Sequence, residues 1–211
     1  MVATANCCQL LGATPVFVDI DPESYCIDFN QVKQHLSSSK VAAVIHVSMN
    51  ARSNDIAALA QLCKSHNVPL VEDSAQALGS FHLTSEGKPQ HLGTFGLIGS
   101  FSFSSPKIIS TGQGGALVTN DDELAARIRK IKDFGRTTGG NDTHDVVGWN
   151  FKFTDMQGIV GIEQMKKLPW RVNRMRQIWQ LYQSELSQTP GIRMVSHEKA
   201  QPGTSCTHNG V

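Results

Sequence analysis

The sequence lacks any apolar run approaching the roughly 18 residues of a membrane span. Its opening residues carry no basic segment followed by an apolar stretch, so no secretory signal is read there. Charge of one sign is missing too: 19 Lys and Arg face 18 Asp and Glu, for a formal net charge of +1. That balance gives no global electrostatic reason to expect a nucleic acid or a membrane surface as partner, and favours a small or nucleotide-sized ligand. Paired cysteine spacing is absent. Cys7, Cys8, Cys26, Cys63 and Cys206 are odd in number and fit neither a zinc site nor a disulfide framework, which points to a reducing, cytoplasmic setting. None of the eight histidines is paired with a second ligand at helical or hairpin spacing, so no metal site is expected, and His46 and His144 read as structural or substrate-facing. The sequon Asn141-Asp142-Thr143 is a chance match without a secretory signal.

What is present is a series of short, continuous apolar runs at 15–20, 41–47, 68–73, 97–103 and 116–119. Runs that do not alternate suit strands buried on both faces, and helical patterns lie between several of them. The expected class is therefore α/β, a mostly parallel sheet flanked by helices. Ile56, Leu59, Leu62 and Cys63 mark one helix face, with Asn54 as N-cap and Asn67 as stop. A second helix is expected from about Asp121 to Phe134, capped by Asn120 with Glu123 and stopped by Gly135. Thr154 and Gln157 form a capping box for a third, which Pro169 should end or kink. Val172, Met175, Trp179, Tyr182 and Leu186 recur at helical spacing as a packing stripe. From Gly191 the chain turns polar and irregular. Residues 1–165 are expected to form a large domain, and 166–211 a connecting helix leading into a second, smaller one.

Chemistry concentrates at two strand ends. Asp73 closes the run that begins at Val68, and ligands of open α/β sheets gather at the carboxyl edge of the strands. Taken alone, such an aspartate is more often a simple cap. Lys107 follows the next buried run among Ser100, Ser102, Ser104 and Ser105. The turn Thr111-Gly112-Gln113-Gly114-Gly115 then argues against a free surface loop, because three glycines in four positions let main chain bend where other residues resist.

Several ordered motifs together carry a resemblance. The stretches 71–79, 99–107 and 111–121 resemble the DegT/DnrJ/EryC1/StrS family of sugar aminotransferases. Ala3-Thr4-Ala5-Asn6, the run from Gly12 to Asp21, and the segment from Gly148 to Gln157 fit the same family in the same order. The resemblance implies a fold-type-I large domain dependent on pyridoxal 5′-phosphate (PLP). It makes Lys107 the lysine that carries the cofactor and later moves the proton, and Asp73 the partner of the pyridine nitrogen. Gln76 would sit near the phenolic oxygen, Ser102 would bind the phosphate, and Asn150 would reach the phosphate of the other subunit of a homodimer. The implied reaction moves an amino group from an amino acid, glutamate for instance, to a nucleotide-linked keto sugar for amino-sugar and surface-polysaccharide biosynthesis.

The pattern departs from the family in places. Gln113 stands where many members carry glutamate, and Met1 falls where an aromatic residue often stacks on the cofactor. Family members are longer, and their glycine-threonine phosphate turn falls ahead of Met1, so the domain is expected to be truncated at both ends, with impaired activity by itself. A different class stays open on Ser104-Ser105-Pro106-Lys107, the Ser-x-x-Lys pattern of penicillin-recognising acyl enzymes, although the partner motifs Lys-Thr-Gly and Ser-Asp-Asn do not occur.

Overall fold

The computed structural model describes residues 1–38, 40–137 and 142–195. The sequon at Asn141, Cys206 and most of the polar tail lie outside the described residues. The elements run α1 (Val2–Leu10), α2 (Phe29–Ser38), β1 (Val44–Val47), α3 (Ile56–Ser65), β2 (Leu70–Asp73), β3 (Phe81–Leu83), β4 (Pro89–His91), β5 (Ile98–Ser102), β6 (Gly115–Val118), α4 (Asp122–Ile131) and α5 (Asp155–Leu186). One sheet has the order β1-β2-β5-β6, and β3 with β4 forms a separate antiparallel pair. The strands β1, β2 and β5 are parallel, whereas β6 returns antiparallel to β5. The mostly parallel α/β architecture expected from the apolar runs is thus present.

Alternation splits the sheet into two faces. Val44 and His46 of β1, Leu70 and Glu72 of β2, and Gly99 and Phe101 of β5 are buried on one. Against that face pack Val32 and Leu36 from α2 and Ile56, Leu59 and Cys63 from α3, with Leu92 closing the core. The opposite face, with Val47, Asp73, Ser100 and Ser102, is only half-buried.

Several sequence expectations need correction. Residues 15–20 form no strand: only a single bridge joins Ile20 to Ile27, and Val16 and Phe17 are exposed. An apolar run becomes a strand only where a neighbouring backbone completes its hydrogen bonds, and here residues 26–28 do so only at the end of the run, for residues 19–21. The cap of α3 is Asp55, whose carboxylate accepts the Ala58 N–H at 2.9 Å, while the Asn54 amide instead donates to the Ile27 carbonyl at 3.1 Å. Likewise α4 is capped by Asp121, accepting from the Leu124 N–H at 2.9 Å, and not by Asn120. In both cases the carboxylate one position along also meets the positive end of the helix dipole. The helix α4 ends at Ile131, and Gly135, at φ 79°, sends its N–H back to the Lys130 carbonyl. The capping box of Thr154 and Gln157 opens α5 as expected. Pro169 does not end that helix, which runs on for a total of 32 residues. A proline costs a helix about 3 kcal/mol, which long helical segments on both sides can override. The stripe of α5 from Val172 to Leu186 is only partly covered, with none of its residues buried.

Glu72 is fully buried, and it is the polar centre of this core. Its carboxylate accepts three backbone N–H groups, from Gly93 at 2.7 Å and from Phe95 and Gly96 at 2.6 Å each. Burial pushes its pKa up, and the three N–H groups oppose that rise. Replacing Glu72 with Ala orphans three backbone donors at once, one buried and two half-buried, so Glu72→Ala is expected to lower unfolding stability by about 3 kcal/mol, read by urea denaturation. A loss under about 1 kcal/mol would mean that this carboxylate does not organise the segment.

Candidate active site at the strand ends

The sheet brings two of the sequence-selected residues, Asp73 and Ser102, to one edge. In the parallel ladder Asp73 pairs with Ser100, and Ser102 lies two residues further along β5, so all three share a face. Asp73 is the last residue of β2 and Ser102 the last of β5. The Ser102 hydroxyl lies 3.1 Å from that of Ser104 and accepts the Ser104 N–H at 3.3 Å.

Asp73 is half-buried and held from two sides. Oδ2 accepts the Thr4 hydroxyl at 2.5 Å, and Oδ1 accepts the Ala75 N–H at 3.3 Å. Gln76 follows in the next turn, where its Oε1 accepts the Asn50 N–H at 2.7 Å. That bond fixes the amide so that its NH2 group faces away from Asn50. Asn50 and Ala51 both take left-handed backbone conformations, φ 51° and 61°, which non-glycine residues adopt at a cost. The strain sits where the chain reaches for Gln76.

Lys107 lies in the loop after β5, half-buried, with its N–H bonded to the Ser104 carbonyl at 3.0 Å. The loop is tied at both ends. The Thr111 N–H reaches the Phe103 carbonyl at 2.9 Å, the Phe103 N–H reaches the Gly114 carbonyl at 2.8 Å, and Ile109 is buried. From α5, Arg171 donates to the Ile108 carbonyl at 2.6 Å. The glycine turn is required by shape at Gly114: its φ is 133°, and a β-carbon there would run into the Phe153 ring. Gln113 contributes its carbonyl, which accepts from Thr111 Oγ1 at 2.7 Å and Gln157 Nε2 at 2.9 Å. Its backbone is what this turn uses.

Asn150 is not gathered with the others inside the chain. It is exposed, in a backbone bridge with Asp133, beside the stacked and exposed rings of Trp149 and Phe151. Among the described residues, no cluster of His, Cys, Asp and Glu could hold a metal ion.

Sequence reasoning assigned no role to Thr4, Asn50, Glu72 or Arg171. Thr4 and Glu72 stand inside quoted motifs, which was a usable signal. The contacts of Asn50 and Arg171 depend on distant chain segments that no local pattern reveals.

A mostly parallel α/β sheet flanked by helices is the architecture of a truncated fold-type-I large domain. The chain belongs to the DegT/DnrJ/EryC1/StrS aminotransferase family, whose model matches residues 1–209. It is 33% identical over 186 residues to a GDP-perosamine synthase of Escherichia coli O157:H7, covering 88% of this chain and 50% of that protein. A putative pyridoxal phosphate-dependent aminotransferase of Bacillus subtilis, EpsN, is 32% identical over 199 residues, 92% of this chain and 50% of that one. Among solved structures, DesI in the presence of its TDP-sugar product superposes with a TM-score of 0.83 at 30% identity, covering 99% of this chain and 50% of that one. The chain spans about half the length of the curated relatives it matches. Membership in this family leaves the Ser-x-x-Lys reading without support.

Behind the edge, His46 is fully buried on β1, next in sequence to Val47, which pairs with Asp73. Neither ring nitrogen makes a hydrogen bond. Burial lowers its pKa from 6.5 to about 4, against the pull of Asp73. An unfolded imidazole takes up its proton near pH 6.5, whereas the folded one resists until about 4. Between those values the unfolded state binds more protons, so stability falls as pH falls. His82 and His91, also lowered by burial, act in the same direction. His46 alone should remove about 3 kcal/mol between pH 6.5 and 4, and His46→Leu should flatten the stability profile across that window. An unchanged slope in the variant would show that His46 is not held neutral.

Proposed function

We propose that this chain carries the cofactor-binding part of a PLP-dependent aminotransferase acting on a nucleotide-linked keto sugar, with an amino acid such as glutamate as donor. The observation that carries the reading is the placement of Asp73, Ser102 and the pinned Lys107 loop at one edge of a parallel sheet. The names of the relatives, among them a GDP-perosamine synthase and DesI with its TDP-sugar product, support a nucleotide sugar as acceptor.

The donor set present fits PLP. A carboxylate suits a protonated ring nitrogen, the strand-end hydroxyls suit a phosphate, and a primary amine suits the aldehyde. When bound, the cofactor supplies an electron sink for the carbanion formed at the donor carbon. The residues do the rest. Asp73 would keep the ring nitrogen charged, and Ser102 would hold the phosphate. The Gln76 amide, its oxygen already committed to Asn50, would offer N–H to the phenolic oxygen. Lys107 would anchor the cofactor and then, as a free amine, take the proton from the donor carbon.

Residues 1–165 would form the cofactor-binding domain, with 166–211 leading toward a smaller one. Exposed Asn150, beside the exposed Trp149 and Phe151 rings, suits a homodimer in which it reaches the partner's phosphate site. The buried thiols of Cys26 and Cys63 are free, as suits cytoplasmic work in amino-sugar and surface-polysaccharide synthesis. No described helix is long and apolar enough to cross a membrane.

Exchange of the glutamate α-proton into heavy water, followed by NMR in the presence of PLP, isolates the proton-transfer step. Asp73→Asn should keep PLP bound yet slow this exchange by about 100-fold or more, since a neutral amide cannot hold the ring charge. Near-normal exchange would reduce Asp73 to a turn cap and remove the main support for the reading.

A further inference from the structure

The aminotransferase reading leaves one contact unused. Thr4 lies in the first turn of α1, a helix with no buried residue, and its hydroxyl donates at 2.5 Å to Oδ2 of Asp73, 69 positions away in sequence. This hydrogen bond ties α1 to β2. The only other donor described on that carboxylate is the Ala75 N–H at 3.3 Å on Oδ1, a longer bond that belongs to the aspartate's own turn.

We infer that Thr4 is a positioning residue for Asp73: its hydroxyl holds the carboxylate in one orientation toward the ring nitrogen of the cofactor. This inference rests on the PLP reading above. The physics is direct. A carboxylate at a strand end can turn about its χ2 bond, and a hydroxyl donor on one oxygen selects one orientation. Hydrogen bonds to a carboxylate are among the strong ones in proteins, so the orientation they select is firmly held. Thr4 reaches the carboxylate from a separate element, so it fixes Asp73 independently of the turn at Ala75. The threonine methyl group and the half-buried surroundings limit the hydroxyl's own rotation.

The test uses the chain with added PLP, titrated to millimolar concentration and followed by the visible band of lysine-bound cofactor. Three variants are compared with the parent: Thr4→Val, which keeps shape without the hydroxyl; Thr4→Ala, which guards against a packing fault in Thr4→Val; and Thr4→Ser, which restores the donor. Thr4→Val and Thr4→Ala should each weaken PLP binding by about tenfold, and Thr4→Ser should recover to within about threefold of the parent. A second readout separates positioning from mere structural support. A firmly charged ring nitrogen withdraws electrons and keeps the pKa of the lysine-bound nitrogen low, so losing the hydroxyl should move the pH midpoint of the visible band upward, and serine should return it. Parent-like affinity and midpoint in both Thr4→Val and Thr4→Ala would overturn the role of Thr4 while leaving the PLP reading intact. A weakened affinity with an unmoved midpoint would also overturn it, reducing Thr4 to a structural tie. A parent chain that develops no lysine-bound band at all would instead sink the PLP reading, and the positioning role with it.

Discussion

Three backbone N–H groups converge on the buried carboxylate of Glu72, and the geometry of the sheet edge follows from that convergence. The donors belong to Gly93, Phe95 and Gly96, the segment that delivers the chain into β5, and the next residue, Leu97, bonds its N–H to the Leu70 carbonyl at 2.8 Å. The carboxylate therefore sets where β5 begins beside β2. Once that register is set, Ser100 falls beside Asp73, Ser102 ends the strand on the same face, and the loop bearing Lys107 starts from a fixed point. Adjacent residues of one strand thus face opposite ways: Glu72 turns to the core and organises the fold, while Asp73 stays half-buried on the other face, at the edge.

The site side of the sheet is built from contacts that cross long distances in sequence. Thr4 reaches Asp73, Asn50 reaches Gln76, and Arg171 reaches the Ile108 carbonyl beside Lys107. Each fixes a group that a cofactor would meet, and each comes from an element outside the strands themselves. Preorganisation of this kind means that few side chains have to move when a ligand arrives. The left-handed backbone at Asn50 and Ala51 is consistent with that role, because strain persists where the surroundings over-determine it.

Four of the five apolar runs became strands within a few residues of the expected limits: three in the parallel part of the sheet, where composition marks a strand, and β6, antiparallel and partly exposed. The run at 15–20 shared that composition but was paired only at its end, where 19–21 meet 26–28, and pairing is not a local property. The starts of α3, α4 and α5 were legible to within one residue, the errors at Asn54 and Asn120 arising because an adjacent aspartate competes for the same cap, whereas α1 and α2 went unread. Pro169 did not act as a stop, since a local breaking signal was outweighed by the helix on either side of it. Asp73, Gln76, Ser102 and Lys107 stood out as candidates in the sequence because they fall in ordered motifs at and just beyond strand ends. Their supports did not, since Thr4, Asn50 and Arg171 acquire their meaning only when the chain folds.

The central claim is that the lysine after β5 is the one that binds the cofactor. Borohydride reduction of the chain in the presence of PLP, followed by peptide mass mapping, tests it most directly. The account predicts a pyridoxyl group on Lys107, with Lys107→Ala losing both the label and the visible absorbance. A label on a different lysine, or an unchanged label in Lys107→Ala, would contradict it.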